Sequence, residues 1–72
     1  MEIKRVVAAK STESLLLELP DGMGLVVDLV NGKIKAIPSL TPLPLQSILA
    51  RGYWTPYKGK LTPKEVEDQL NA

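Results

Sequence analysis

Two turn signals constrain the first half of this chain more tightly than any other feature of its sequence. Asn31-Gly32 is typical of a two-residue hairpin turn, because both positions of that turn need a positive φ. Pro20-Asp21-Gly22 suits a three-residue hairpin loop, in which proline presets the first turn position and glycine takes the left-handed one. The sequence therefore predicts an antiparallel meander in this part of the chain.

The two turns predict strand registers independently, and the two registers agree. The first turn pairs Leu29 with Ile34, and the second pairs Leu17 with Leu25. Together they place nine apolar side chains on one side of the sheet, the leucine face: Leu15, Leu17, Leu19, Met23, Leu25, Val27, Leu29, Ile34 and Ala36. The other side, the second face, then carries a mixed set: Ser14, Leu16, Glu18, Gly24, Val26, Asp28, Val30, Lys33, Lys35 and Ile37.

The N-terminal residues 2–9 predict a further strand. Its register stays open, because either Val6 and Ala8 or Ile3 and Val7 could face the main core. The first half of the chain is thus predicted to be a three- or four-stranded antiparallel meander. A small SH3-like β-barrel, closed by this first strand and followed by a C-terminal helix, is the alternative.

The meander is expected to fill residues 2–37 and to end at a proline-rich joint, residues 38–44. Proline cannot donate to a strand ladder, so the chain leaves the sheet there. A helix over residues 42–51 follows, with Thr41 as its predicted cap and Gly52 closing it.

A second helix is predicted over residues 63–71. Thr62 is its N-cap, Pro63 takes the first helical position, and Glu65 completes a capping box. Both helices are expected to pack on the leucine face, and whether the second docks on its own chain or on a partner is left open by the sequence. The whole chain, residues 1–72, is therefore predicted to be a single α+β domain.

Composition excludes several kinds of chemistry. The 72 residues contain neither cysteine nor histidine, which removes disulfides and the common zinc, haem and iron–sulfur ligands. No metal site, cofactor or catalytic residue is expected. A domain this small has a limited hydrophobic core, so association with a second copy is the expected source of further stability.

Charge and hydropathy give a weaker indication of partners. The net charge is +1, too small to favour nucleic acid by itself. No apolar run approaches the ~20 residues that a membrane span needs, so no membrane partner is expected and a cytoplasmic location is the simplest expectation.

Carboxylates are the remaining acid–base groups that could support catalysis. Glu18 and Asp28 both project from the second face, but the predicted register sets Asp28 opposite Lys35 and beside Ser14. A cross-strand ion pair is the expected role, and we expect no enzymatic activity.

The loop at residues 52–61, with the end of the preceding helix, gathers all three aromatic residues of the chain among basic ones. Such rings serve as core anchors, as protein contacts or as stacking platforms for single-stranded nucleic acid. The candidate interaction residues are Arg51, Tyr53, Trp54, Tyr57, Lys58 and Lys60.

The second face suggests self-association, because two short helices on the leucine face would leave its apolar residues uncovered. The candidate self-association residues are Leu16, Val26, Val30 and Ile37. The sequence thus predicts a non-enzymatic interaction module, expected to form a homodimer through this face and to bind a protein partner through the loop. A single-stranded nucleic-acid-binding domain that uses the loop is the alternative, and nucleic acid is the less favoured partner.

Overall fold

An antiparallel meander of four strands and two short helices make up the fold, which confirms the α+β prediction. The computed structural model describes residues 2–11, 13–35 and 41–71. In chain order the elements are β1 (Arg5–Lys10), β2 (Ser14–Glu18), β3 (Met23–Val30), β4 (Lys33–Lys35), β5 (Leu43–Pro44), α1 (Leu45–Arg51), β6 (Thr55–Pro56) and α2 (Pro63–Leu70).

The sheet is open, which corrects the barrel alternative. Its strand order is β4-β3-β2-β1-β6. Strand β5 is not part of this order and pairs with the start of β3. Across the part of the chain that the structure describes, β4 and β6 lie at opposite ends of that order and do not pair with each other. β5 and β6 are two-residue edge segments that each contain a proline, and edge positions are where a sheet tolerates proline.

Both turns give the predicted registers. Asn31 and Gly32 have φ of 54° and 76°, as a type I′ turn requires, and Leu29 lies opposite Ile34. Strands β2 and β3 also pair in the predicted register. Eight of the nine predicted leucine-face residues lie in one apolar cluster; the ninth, Ala36, is outside the described residues.

A β-bulge in β1 explains why its register could not be chosen from the sequence. Val6 and Ala8 pair with consecutive residues of β2, so Val7 is the extra residue. Val6 and Ile3 therefore pack on the leucine face, whereas Val7 and Ala8 pack on the second face. Each predicted set was half correct, because the bulge moves the strand from one face to the other.

The two helices cover opposite faces of the sheet, so the prediction that both pack on the leucine face was wrong. Val66 and Leu70 of α2 join the leucine-face cluster. Leu45 and Ile48 of α1 pack instead on the second face, against Leu16. The three consecutive leucines of β2 are 1%, 0% and 0% exposed, so both faces of this strand need cover.

Helix α1 begins three residues later than predicted. Its N-cap is Pro44, and Thr41 lies before the helix and does not cap it. Leu43 and Pro44 pair with β3 instead, and the Leu45 N–H donates to the Gly22 carbonyl at 3.2 Å. Leu43 and Pro44 therefore belong to a strand pairing, although the proline pattern predicts them within the helix.

Gly24 of β3 lets α1 lie directly on the sheet. A Cβ at this position would approach the Cδ1 atoms of Ile48 and Leu45 to 2.8 and 3.0 Å, closer than packed side chains tolerate. The close approach of helix and strand therefore depends on a residue without a side chain.

Helix α2 has Thr62 as its predicted N-cap, but the Glu65 carboxylate accepts a hydrogen bond from the Thr62 hydroxyl and not from the backbone N–H that a capping box uses. The Thr62 hydroxyl accepts a hydrogen bond from the Glu65 N–H at 3.2 Å and donates one to the Glu65 carboxylate at 3.1 Å. The helix spans Pro63–Leu70 with Asn71 as its C-cap, one residue shorter than predicted. No helix in the described ranges is long and apolar enough to cross a membrane.

Helix α2 docks on its own chain through one buried side chain and two polar ones. Val66 is 0% exposed. The Glu67 carboxylate accepts a hydrogen bond from the Ile3 N–H, and the Gln69 side-chain oxygen accepts one from the Ile34 N–H at 2.8 Å. The helix thereby holds both the N-terminal segment and strand β4.

Removing the buried contact of α2 should destabilise the whole domain. Val66→Ala is expected to lower the free energy of unfolding by about 2 kcal/mol, because a fully buried side chain leaves a cavity. Urea denaturation measures this change, with the exposed Asp68→Ala as control. Equal unfolding midpoints for the two variants would contradict the docking of α2 on the leucine face.

Glu18 holds the ion cluster of the sheet. Its carboxylate accepts a hydrogen bond from the Arg5 guanidinium and lies 3.8 Å from the Lys4 ammonium. The Arg5 hydrogen bond, followed by the charges of Arg5 and Lys4, outweighs desolvation and lowers the pKa of Glu18.

This lowered pKa predicts a pH-dependent contribution to stability. The carboxylate stabilises the fold above its unfolded pKa of ~4.3, and the contribution disappears as the pH falls through the lower folded value. Glu18→Gln should therefore melt below the native protein at neutral pH, and the difference should shrink at about pH 3. Thermal melts at both pH values measure it; a difference independent of pH would contradict the ion cluster.

Candidate functional site

A shallow groove of about 300 Å³ opens on the second face beside α1. Strands, helix α1 and the loop that follows it all contribute to its lining. The lining residues are Lys10, Ser14, Val26, Leu43, Ile48, Arg51, Gly52 and Trp54.

The groove exists because α1 is too short to cover the second face. The helix has seven residues, of which two, Leu45 and Ile48, are buried. It covers the part of the face around Leu16 and Gly24. Val26, which lies opposite Leu16 in the strand ladder, stays 36% exposed, and Leu43 on β5 stays 46% exposed.

The charges that line the groove are positive. Lys10 and Arg51 contribute exposed cations, and the lining residues within the described ranges include no carboxylate. The nearby Asp28 carboxylate accepts a hydrogen bond from the Ser14 hydroxyl at 3.4 Å and lies opposite Lys35. The groove therefore combines an apolar lining with two cations and one hydroxyl.

The aromatic residues of the predicted interaction loop are separated by the fold. Trp54 packs with the second-face cluster, whereas Tyr57 packs with the leucine-face cluster. Between them, Thr55–Pro56 form β6 and pair with β1. The Tyr57 hydroxyl accepts a hydrogen bond from the Leu61 N–H at 3.0 Å, so this tyrosine anchors the loop.

Two of the six predicted interaction residues, Arg51 and Trp54, line the groove. Tyr53 lies between lining residues in the chain and is 93% exposed. Lys58 and Lys60 are also exposed but do not belong to the lining. The structure thus moves the candidate site from the loop as a whole to its first part.

The predicted self-association residues separate in a similar way. Leu16 is 0% exposed because α1 covers it, so its assignment to an exposed patch was wrong. Val26 lines the groove, and Val30 lies on the same face with half of its surface exposed. Ile37 is outside the described residues.

The two carboxylates considered for catalysis are not brought together. Glu18 lies opposite Gly24 and Asp28 opposite Ser14, at the two ends of the β2–β3 ladder. In the described part of the chain, no group of three or more carboxylates is arranged to hold a metal ion.

Sequence reasoning missed five lining residues as members of one site: Lys10, Ser14, Leu43, Ile48 and Gly52. Gly24 was the signal that could have found Leu43 and Ile48, because a glycine inside a strand often marks the close approach of another segment. Leu43 pairs with Gly24, and Ile48 packs over it.

Comparison of the chain with family models, curated proteins and solved structures gives no significant match.

The anchoring role of Tyr57 can be tested against a second tyrosine four residues away. Tyr57→Phe should lower the free energy of unfolding by about 1 kcal/mol, because the Leu61 N–H loses its partner. Tyr53→Phe is the matched control and should be neutral in the monomer. Urea denaturation at low protein concentration measures both, and equal stabilities would contradict the anchoring hydrogen bond.

Proposed function

We propose that this domain is a non-enzymatic protein-interaction module that self-associates as a homodimer through the second face. The observation that carries the proposal is the groove beside α1, where Val26 and Leu43 remain exposed next to the half-buried Trp54. Apolar surface with a polar rim is the usual character of a protein-binding site.

The available side chains support binding more than catalysis. The sequence has no histidine or cysteine to act as base or nucleophile. Among the described groups, Glu18 has a shifted pKa, and the shift makes it a weaker base within an ion cluster. Such a carboxylate stabilises the sheet and has no reason to abstract a proton at neutral pH.

Self-association suits a face of this kind because a two-fold axis pairs identical patches. Val26 and Val30 project on the same side of β3, and the Asp28 carboxylate between them can meet Lys33 or Lys35 of a second copy. A stable interface buries ~800 Å² on each partner. The exposed apolar surface here is limited to a few residues, so a weak dimer is the expected form.

The geometry does not favour the nucleic-acid alternative. A stacking platform needs several exposed rings on one surface, and here Trp54 and Tyr57 pack on opposite faces of the sheet. Tyr53 is the one fully exposed ring in the described part of the loop. Titration with a short single-stranded oligonucleotide should leave the Trp54 fluorescence unchanged.

Light scattering across a dilution series tests the proposal. The native protein should have a mass that rises with concentration, and Val26→Lys should stay monomeric because it replaces an apolar contact with a charge that the interface would have to desolvate. Asp68→Asn is the matched control: it changes the net charge by the same amount on the exposed side of α2. A native protein that is monomeric at every concentration would contradict the proposal.

A further inference from the structure

We propose that Tyr53 of each copy inserts into the groove of the other copy, so that two identical contacts hold the dimer together. This inference rests on the proposed self-association and names its anchor. It also unites the two candidate surfaces, because Val26 of the second face and Arg51 and Trp54 of the loop line the same groove.

Exposure singles out Tyr53 as the anchor. It is 93% exposed, more than Val26, Val30 or Leu43, the other large hydrophobic residues exposed in the described ranges. Tyrosine combines a large apolar ring with a polar tip and few rotatable bonds, which is why it often anchors interfaces. Burial of this ring at an interface would remove more apolar surface from water than burial of Val26, Val30 or Leu43.

The position of Tyr53 in the chain, between two residues of the groove lining, makes a reciprocal contact possible. Its chain neighbours, Gly52 and Trp54, both line the groove. A two-fold axis beside these residues brings each Tyr53 to the opposite groove, since an isologous interface repeats every contact in both directions.

Gly52 preserves the shape of the groove at this point. A Cβ on Gly52 would lie 2.5 Å from Nε1 and 2.9 Å from Cδ1 of Trp54. The indole thus packs directly against the backbone that carries Tyr53. The wall of the groove and its proposed occupant are parts of one short segment.

The lining matches a tyrosine in chemistry. Val26, Leu43 and Ile48 offer apolar contact to the ring, and Lys10 and Arg51 are the cations of the lining. The face of an aromatic ring is electron-rich and attracts cations, and the described lining has no carboxylate to compete for them. The Ser14 hydroxyl donates to the Asp28 carboxylate and can accept a hydrogen bond from the phenol group.

The expected interface is small. Two inserted aromatic side chains bury ~150–250 Å² each, and contacts around the rim add to this. The total falls in the class of weak and transient interfaces. The dimer should therefore dissociate on dilution.

Two variants and their mixture test the inference. Tyr53→Ala, which leaves the groove intact, should raise the dimer dissociation constant about tenfold or more, whereas Tyr53→Phe should largely preserve dimerisation. Val26→Lys keeps the ring but blocks the groove. A mixture of Tyr53→Ala and Val26→Lys should associate more strongly than either variant alone, because the mixed dimer retains one complete contact.

Light scattering gives the masses, and the emission of Trp54, the single tryptophan, reports on the groove. The emission should shift with dilution in the native protein and stay constant in Tyr53→Ala. Circular dichroism confirms that each variant is folded.

Three results would overturn the inference. If Tyr53→Ala dimerises as strongly as the native protein while Val26→Lys is monomeric, the groove remains the interface but Tyr53 is not its anchor. A response of Trp54 to a short peptide of alternating Asp and Leu, without a response to dilution, would assign the groove to an acidic partner. A folded native protein that is monomeric at all concentrations would overturn both the reciprocal insertion of Tyr53 and the proposed self-association.

Discussion

Strand β2 is buried on both faces, and the arrangement of the rest of the chain follows from that burial. Leu15 and Leu17 project to the leucine face while Leu16 projects to the second face, and all three are almost completely inaccessible to solvent. One helix cannot cover both sides of a sheet, so α2 takes the first face and α1 the second. Because α1 covers only part of the second face, the groove remains beside it.

Local chemistry explains which parts of the fold could be predicted from the sequence. Asn31-Gly32 defines its own turn and therefore the pairing of β3 with β4, and Thr62 caps α2 through atoms three residues away. The bulge at Val7 and the choice of face by α1 depend on contacts between distant segments. Leu16 was placed in an exposed patch because Ser14 and Glu18, its neighbours on the second face, are polar, and the strand alternation does not show what packs above that face.

The candidate site was predictable in its composition but not in its assembly. The sequence concentrates aromatic and basic residues after α1, yet the pairing of Thr55–Pro56 with β1 sends Trp54 and Tyr57 to opposite faces. The same pairing leaves Arg51 and Trp54 beside Val26. Clustering along the chain therefore predicted too many loop residues as members of the site. It could not predict the groove, which is formed by residues far apart in sequence.

Contact between the methyl groups of Ile48 and Leu16 tests the central claim most directly, because the groove exists only if α1 lies on the second face. In a nuclear Overhauser spectrum of methyl-labelled protein, the Ile48 Cδ1 methyl should show strong cross-peaks to the Leu16 methyls. Cross-peaks from Ile48 to Leu15 or Leu17, with none to Leu16, would place α1 on the leucine face and contradict the account.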